Sequence, residues 1–165
     1  MNRNLSIELL NQAVGYKLQS IHQYLSFHVF CEKHGYKSLS NLFDNISIVE
    51  VKHLEILSDR IAFLGGNVKF ELTHELKKLN DPRLMLSIAC DMERKSAKNY
   101  EAWSLRAMAD SDFVSQRLFA ELSSQEREHA EEFENEIKIF EYRPDRQAEI
   151  AYLQSEVAAD VDVYV

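Results

Sequence analysis

One short pattern, Glu-x-x-His, occurs twice in this chain, at Glu50–His53 and at Glu126–His129. Both copies lie in stretches whose apolar residues recur every three or four positions, as in an amphipathic helix. Residues three apart share one face of a helix, so each copy presents a carboxylate and an imidazole side by side. Carboxylates and imidazoles are good ligands for iron, manganese and zinc.

A third helical stretch carries another inward-facing carboxylate, Glu93. Two Glu-x-x-His helices together with a glutamate from a third helix are typical of two-metal carboxylate centres in four-helix bundles. A buried carboxylate is costly unless it is paired or bound to metal. The sequence therefore predicts a metal centre. The alternative for any one of these glutamates or histidines is a charged side chain at the edge of the bundle, on a face exposed to solvent. The predicted ligands are Glu50, His53, Glu93, Glu126 and His129.

The elements that must position these side chains are long helices with clear stop signals. The first helix is predicted to end at Gly35 and the second at the pair Gly65-Gly66. Ser38 is predicted to cap the second helix, and Asp81-Pro82 to begin the third. Pro144 is predicted to stop the fourth helix. The three- and four-residue spacing predicts helices at residues 5–34, 38–65, 82–109 and 113–141.

The link between the second and third predicted helices has about fifteen residues, which is long for a compact bundle. Such a link can carry the chain from one end of a bundle to the other. The sequence therefore predicts an all-α antiparallel four-helix bundle with one long crossover. We expect a single domain over residues 1–165, with the bundle at about 5–141 and a short C-terminal helix or tail within 142–165.

The amino-acid composition limits the kinds of molecule that this protein is expected to bind. The chain has 165 residues with 4 Gly and 2 Pro, which favours helix, and its net charge of −8 includes no basic block. No nucleic-acid partner is expected. No apolar run reaches the length of a membrane span and no secretory signal is visible, so no membrane association is expected. Cys31 and Cys90 show no pairing motif, which favours buried thiols in a reducing cytoplasm.

From Leu10 to about Ile137 the chain resembles the ferritin superfamily, and most of all bacterioferritin. Residues 21–24 resemble the first-helix stretch that ends in a tyrosine near the metal centre, here Tyr24. Residues 47–53, Glu93 with its flank and residues 126–129 resemble the ligand runs of the other three helices, with Glu93 in the position of a bridging glutamate. The resemblance implies a centre that oxidises ferrous iron with dioxygen or peroxide, and a 24-subunit shell that stores the mineral product.

The sequence leaves undecided the roles of two side chains in the first predicted helix. The resemblance places Tyr24 beside the centre, where its phenol could donate a hydrogen bond or an electron, and the alternative is an ordinary core tyrosine. His28 follows four residues later and is an additional ligand candidate.

The chain departs from the family pattern at two positions. The family's first-helix glutamate, seven residues before the tyrosine, is Lys17 here, and no acidic residue lies between Glu8 and Glu32. A protonated lysine has no lone pair for a metal. Either its ammonium replaces one metal ion and pairs with Glu50 or Glu93, or metal binds with a reduced ligand set. The family's haem methionine is replaced by Val51, which cannot ligate iron, so no haem is expected.

These observations favour a bacterioferritin-like subunit for iron storage and detoxification, with an altered ferroxidase centre holding one or two ions of iron, manganese or zinc. Whether it is an enzyme stays open: it is either a ferroxidase in its own right or a non-catalytic subunit that co-assembles with an active paralogue. The shell is then homo-oligomeric or hetero-oligomeric. A rubrerythrin-type di-metal oxidase or peroxidase is the alternative, although the chain has no Cys-x-x-Cys pairs. A purely structural bundle and a DNA-protecting mini-ferritin, whose basic tail is missing, are further alternatives.

Overall fold

The computed structural model describes residues 2–141, which form four helices and no strand. Every helix boundary lies within two residues of its predicted position, and the predicted all-α fold is confirmed. The expected helix or tail within 142–165 and the stop at Pro144 lie outside the described residues. The helices are α1 Arg3–Lys33, α2 Lys37–Phe63, α3 Pro82–Ala109 and α4 Phe113–Glu141.

The helix ends follow the local chemistry of the sequence with one exception. Gly35 and Gly65 adopt φ values of 79° and 77°, the left-handed conformation that terminates α1 and α2. The Asp81 carboxylate caps α3 by accepting a hydrogen bond from the backbone N–H of Arg83 at 2.8 Å. The predicted cap at Ser38 is wrong, because α2 begins one residue earlier and Ser38 is already its second residue.

The helices form two antiparallel hairpins, α1 with α2 and α3 with α4, which pack face to face. Residues 64–81 form the predicted long crossover between them, and this segment lies along α1. Asn11 holds one part of it, donating to Asn67 O at 3.1 Å and accepting from Lys69 N at 2.8 Å. Gln23 likewise donates to Lys77 O at 2.9 Å and accepts from Lys77 N at 2.8 Å. The side-chain amides of Asn11 and Gln23 thus form hydrogen bonds with backbone groups of the crossover that have no partner in a helix or strand.

The core consists of two hydrophobic clusters, one towards each end of the bundle. The first includes Phe27, Phe43 and Phe133, and the second includes Leu10 and Leu57. Along each helix, the buried polar residues described below fall between members of the two clusters. The metal-binding candidates therefore lie in the middle of the bundle, away from its solvated ends.

Asp112 joins three helices at one end of the bundle. Its carboxylate pairs with Arg60 of α2 at 2.7 Å, accepts from the Ser6 hydroxyl of α1 at 2.6 Å, and accepts from the backbone N–H of Ser115 at 3.1 Å. The last bond caps the N-terminus of α4. Burial raises the pKa of Asp112, but the hydrogen bonds from Ser6 and Ser115 and the charge of Arg60 outweigh it, and the pKa is lowered.

We expect Asp112→Asn to lower the free energy of unfolding by about 2–4 kcal/mol at neutral pH, because it leaves Arg60 without its anion and weakens a helix cap. A carboxyl whose pKa is lowered by folding stabilises the fold above its unfolded pKa, near 4, and loses that contribution as pH falls through the folded pKa. The difference between wild type and variant should therefore shrink below about pH 4. Thermal unfolding against pH measures it, with the exposed Asp91→Asn as control. An unchanged difference at low pH would contradict this assignment.

Candidate metal centre

All four helices contribute polar side chains to one cluster at the centre of the bundle. Each of these residues is at most 7 % exposed, although every one carries an ionisable group. The inward stripes predicted from the sequence explain this placement, since each charged residue replaces one apolar residue in a helical stripe. The cluster consists of Lys17 from α1, Glu50 and His53 from α2, Glu93 from α3, and Glu126 and His129 from α4.

The two Glu-x-x-His faces meet across the bundle axis. His53 Nδ1 lies 3.4 Å from Glu50 Oε1 and 3.4 Å from Glu126 Oε1, so it approaches carboxylates of both motifs. His129 Nδ1 lies 3.4 Å from Glu50 Oε1 and 3.7 Å from Glu93 Oε2. The two imidazole rings are stacked with centroids 6.0 Å apart. Because Glu50 faces both rings, the geometry favours Glu50, rather than Glu93, as a carboxylate shared by both halves of the cluster.

Lys17 enters this cluster as an internal cation. Its Nζ lies 2.5 Å from Glu50 Oε2 and 2.6 Å from Glu126 Oε2, and the side chain is 1 % exposed. These are close charge contacts that lack the angular geometry of hydrogen bonds. The expected ion pair with Glu50 is confirmed, whereas the second partner is Glu126 and not Glu93. The Tyr100 ring lies beneath the ammonium, 5.3 Å from it, and adds a cation–π contact.

The charges in the cluster stabilise one another. Burial alone would lower the pKa of Lys17, but the negative charges of Glu50, Glu126 and Glu93 outweigh it and the pKa is raised well above its usual value. Burial likewise favours neutral carboxyls, yet the ammonium holds the pKa values of Glu50 and Glu126 below their usual range. Lys17 is therefore a cation between two anions in the metal-free protein.

Glu93 lies at the opposite end of the cluster from Lys17. Burial raises its pKa well above the usual value, and the charges of Glu126 and Glu50 add to the effect. The Tyr24 hydroxyl donates a hydrogen bond to Glu93 Oε1. Burial and the neighbouring Glu93 also raise the pKa of Tyr24, so Tyr24 remains a phenol that can donate this bond. Tyr24 thus contacts the cluster directly, at the end that lacks the ammonium.

The two histidines differ in their surroundings. Burial lowers the pKa of His129, but Glu50 and Glu93 raise it to about 10. The pKa of His53 is also raised, because Glu126 and Glu50 outweigh burial, although Lys17 works against them. His53 Nε2 forms a hydrogen bond with Gln125 Oε1 at 2.5 Å, which orients its Nδ1 towards the carboxylates.

The donor atoms at the centre of the cluster are those of a metal-binding set. One oxygen from each of Glu50, Glu93 and Glu126 and one ring nitrogen of His129 lie within 4.8 Å of one another. Among residues 2–141, Glu50 Oε1, Glu93 Oε2, Glu126 Oε1 and His129 Nδ1 have no hydrogen-bond partner despite their burial. Buried polar atoms without a hydrogen-bond partner are rare, and a metal ion in their midst would satisfy these four. The residues present therefore fit a divalent metal ion, with His53 outside the group of four.

The other sequence candidates lie away from the cluster. His28 Nδ1 is within hydrogen-bond distance of Ser40 Oγ and Ser40 O, both at 3.0 Å, and His28 is not in the metal-binding group. Val51 is half exposed on the outer face of α2. Cys31 and Cys90 are buried free thiols, as predicted, and burial raises the pKa of Cys31 to about 12.

Sequence analysis missed Gln125 as the partner of His53 and Tyr100 beneath Lys17. Gln125 directly precedes Glu126, but its bond to the second helix depends on how α2 and α4 face each other. Tyr100 lies seven residues after Glu93, two turns further along the same inward stripe. That spacing was a usable signal for Tyr100.

The fold and the cluster define a class of protein: four-helix bundles with a carboxylate–histidine centre built from facing helices. The family model of the ferritin-like domain matches residues 7–142. This chain belongs to the ferritin-like domain family.

Among curated proteins, the chain is similar to three bacterioferritins. It is 27 % identical to that of Desulfovibrio desulfuricans over 129 residues, which cover 78 % of this chain and 72 % of the relative. It is 28 % identical to that of Rhodobacter capsulatus over 82 % of this chain and 84 % of the relative. It is 27 % identical to that of Brucella melitensis over 81 % of this chain and 83 % of the relative.

Two solved structures share the fold. The crystal structure of D. desulfuricans bacterioferritin, described with a diiron site in different catalytic states, has a TM-score of 0.85 at 24 % identity and covers 92 % of this chain and 87 % of that one. The R. capsulatus bacterioferritin structure, described with a metal-free dinuclear site and haem iron, has a TM-score of 0.79 at 26 % identity, over 82 % and 85 %. In the part of the chain that the structure describes, no helix is long and apolar enough to cross a membrane.

Proposed function

We propose that this protein is a bacterioferritin-like subunit for iron storage and detoxification, whose central cluster binds ferrous iron as substrate. The observation that carries the proposal is the group of unpartnered buried donor atoms from Glu50, Glu93, Glu126 and His129. His53, from the first Glu-x-x-His motif, is the fifth ligand predicted from the sequence; it lies outside this group of four, beside Glu50 and Glu126. Carboxylate and imidazole donors suit iron(II), and they also admit manganese and zinc.

The proposed chemistry is oxidation of ferrous iron by dioxygen or peroxide, with storage of the ferric product. In this chain the residues around the iron have distinct tasks. Glu50 and Glu126 supply shared negative charge, and Gln125 orients His53. Tyr24 holds Glu93 through its hydroxyl and is the proposed catalytic side chain, as donor of a proton or an electron at that oxygen. The Lys17 ammonium alters this centre by occupying oxygens of Glu50 and Glu126.

We further propose a cytoplasmic, closed shell of bacterioferritin type with 24 subunits. Closed symmetry is the general preference of soluble oligomers and does not by itself select the number. Val51 in place of a methionine supports a shell without haem at that position. Because the Lys17 ammonium contacts two of the proposed ligand carboxylates, a hetero-oligomer with a fully active paralogue is the second candidate assembly.

The test is aerobic addition of ferrous iron to the purified protein, followed by gel filtration with measurement of iron and protein. We expect a shell-sized peak that carries iron in large excess over subunits. A monomeric or dimeric protein, or a shell that retains no iron, would overturn the storage proposal. Repeating the assay with a co-expressed bacterioferritin whose centre has the full glutamate set tests the hetero-oligomer through mixed shells.

A further inference from the structure

We infer that the centre of each subunit binds one divalent metal ion, in the half of the cluster formed by Glu93 and His129, and that Lys17 permanently fills the other half. This inference rests on the proposed function, since it specifies how the same cluster receives metal. It follows from three features of the cluster: which oxygens the ammonium covers, which donor atoms remain, and how the charges balance.

The ammonium covers one oxygen of each shared carboxylate. Lys17 Nζ contacts Oε2 of both Glu50 and Glu126, at 2.5 and 2.6 Å. A metal ion in that half would share both carboxylates with a buried cation, and only Glu50 Oε1 and Glu126 Oε1, each 3.4 Å from His53 Nδ1, would remain to bind it with that histidine. At such separations, and out of contact with water, like charges repel strongly. The half that contains Lys17 and His53 therefore does not fit a metal ion.

The opposite half of the cluster retains a complete set of atoms that can bind a metal ion. Glu50 Oε1, Glu93 Oε2, Glu126 Oε1 and His129 Nδ1 are all buried, free of the ammonium and without hydrogen-bond partners among residues 2–141. Donor atoms of these four residues approach within 4.8 Å of one another, whereas His53 lies outside that group. Four oxygen and nitrogen donors are a sufficient first shell for a first-row divalent ion.

The balance of charges in the cluster also favours one divalent ion per subunit. Within residues 2–141, the cluster contains three fully buried carboxylates and one buried ammonium. When all three carboxylates are ionised and both imidazoles are neutral ligands or bystanders, Lys17 leaves a net charge of two negative units. One divalent ion makes the cluster neutral, while a second would leave two uncompensated positive charges in the bundle core. Burying net charge without compensation is strongly unfavourable.

Titration of the metal-free full-length protein with Zn²⁺ and with Co²⁺ tests this inference by calorimetry and by Co²⁺ absorption. We expect one tight ion per subunit for the wild type and two for Lys17→Glu, which supplies a fourth carboxylate and so balances two divalent ions. The exposed Lys98→Glu makes the same change in net charge on α3 and should bind one ion. Ferrous oxidation should also be faster in Lys17→Glu than in the wild type.

The outcomes separate this inference from the proposed function. Two tight ions per wild-type subunit would overturn the one-ion inference and leave iron storage standing. One ion in the wild type and one in Lys17→Glu would overturn the role of Lys17, provided that the variant retains the helical circular dichroism and assembly of the wild type. A wild type that binds no ion would overturn both. Anomalous diffraction from the Co²⁺ complex gives a second readout: density beside His53 instead of His129 would contradict the placement.

Discussion

Replacing Lys17 with methionine is expected to lower the thermal midpoint of the metal-free protein by about 6–20 °C. The variant leaves Glu50 and Glu126 buried without the ammonium that now lies 2.5 and 2.6 Å from them. Removing one partner of a buried ion pair typically costs about 3–5 kcal/mol, because the remaining charge has no compensation. For a protein of this size, each kcal/mol corresponds to about 2–4 °C. Methionine keeps an unbranched apolar stem and is one heavy atom shorter than lysine, so the change reports mainly on the charge.

A divalent metal should recover part of this loss, because it supplies positive charge to the same carboxylates and binds only the folded state. Scanning calorimetry with and without Zn²⁺ measures both effects. The exposed Lys98→Met is the matched control, for which a change within about 0.5 kcal/mol is expected. A Lys17→Met protein as stable as the wild type without metal would show that the ammonium does not stabilise the metal-free bundle.

His129→Ala is expected to weaken divalent metal binding by about 100-fold or more, whereas His53→Ala should weaken it by about 10-fold or less. Loss of an outer-shell partner already costs about 10–100-fold in metal affinity, so loss of a direct ligand should cost at least as much as the upper end. His129 Nδ1 belongs to the group of four donors, and His53 lies outside it, on the side of Lys17. The two variants are well matched, because each removes one buried imidazole from an equivalent motif.

Calorimetric titration with Zn²⁺ measures both affinities, and circular dichroism with gel filtration verifies that each variant folds and assembles. Equal losses in the two variants would mean that the ion lies midway between the rings. A larger loss in His53→Ala would place the ion in the half that Lys17 fills. Either result would contradict the asymmetric centre.

Much of this architecture could be predicted from local sequence chemistry. Helix ends at Gly35 and Gly65 and the cap at Asp81 depend on residues next to them in the chain, and all three were predictable. Convergence of the two Glu-x-x-His motifs was predictable as well, because inward stripes on neighbouring helices must face the same axis.

What the sequence left undetermined depends on how the helices rotate and slide against one another. The second partner of Lys17 is Glu126 because α4 brings its carboxylate closer to α1 than α3 brings Glu93. The hydrogen bond of His53 to Gln125 has the same origin. Helical periodicity identifies the face on which a residue lies, but shifts of about 1–2 Å in the relative positions of the helices are set by packing of the whole core.

The crossover along α1 fixes the register of the helix that carries the ammonium. Asn11 and Gly15 belong to the α1 face beneath the crossover, where a Cβ on Gly15 would approach Thr73 Cγ2 to 3.0 Å, while Lys17 faces the bundle axis. A single-residue insertion between Gly15 and Lys17 would turn one face by about 100° relative to the other. The helix could then satisfy either the crossover contacts of Asn11 and Gly15 or the carboxylates that pair with Lys17, but not both. This segment of α1 is thus intolerant of changes in length, even where individual side chains can be exchanged.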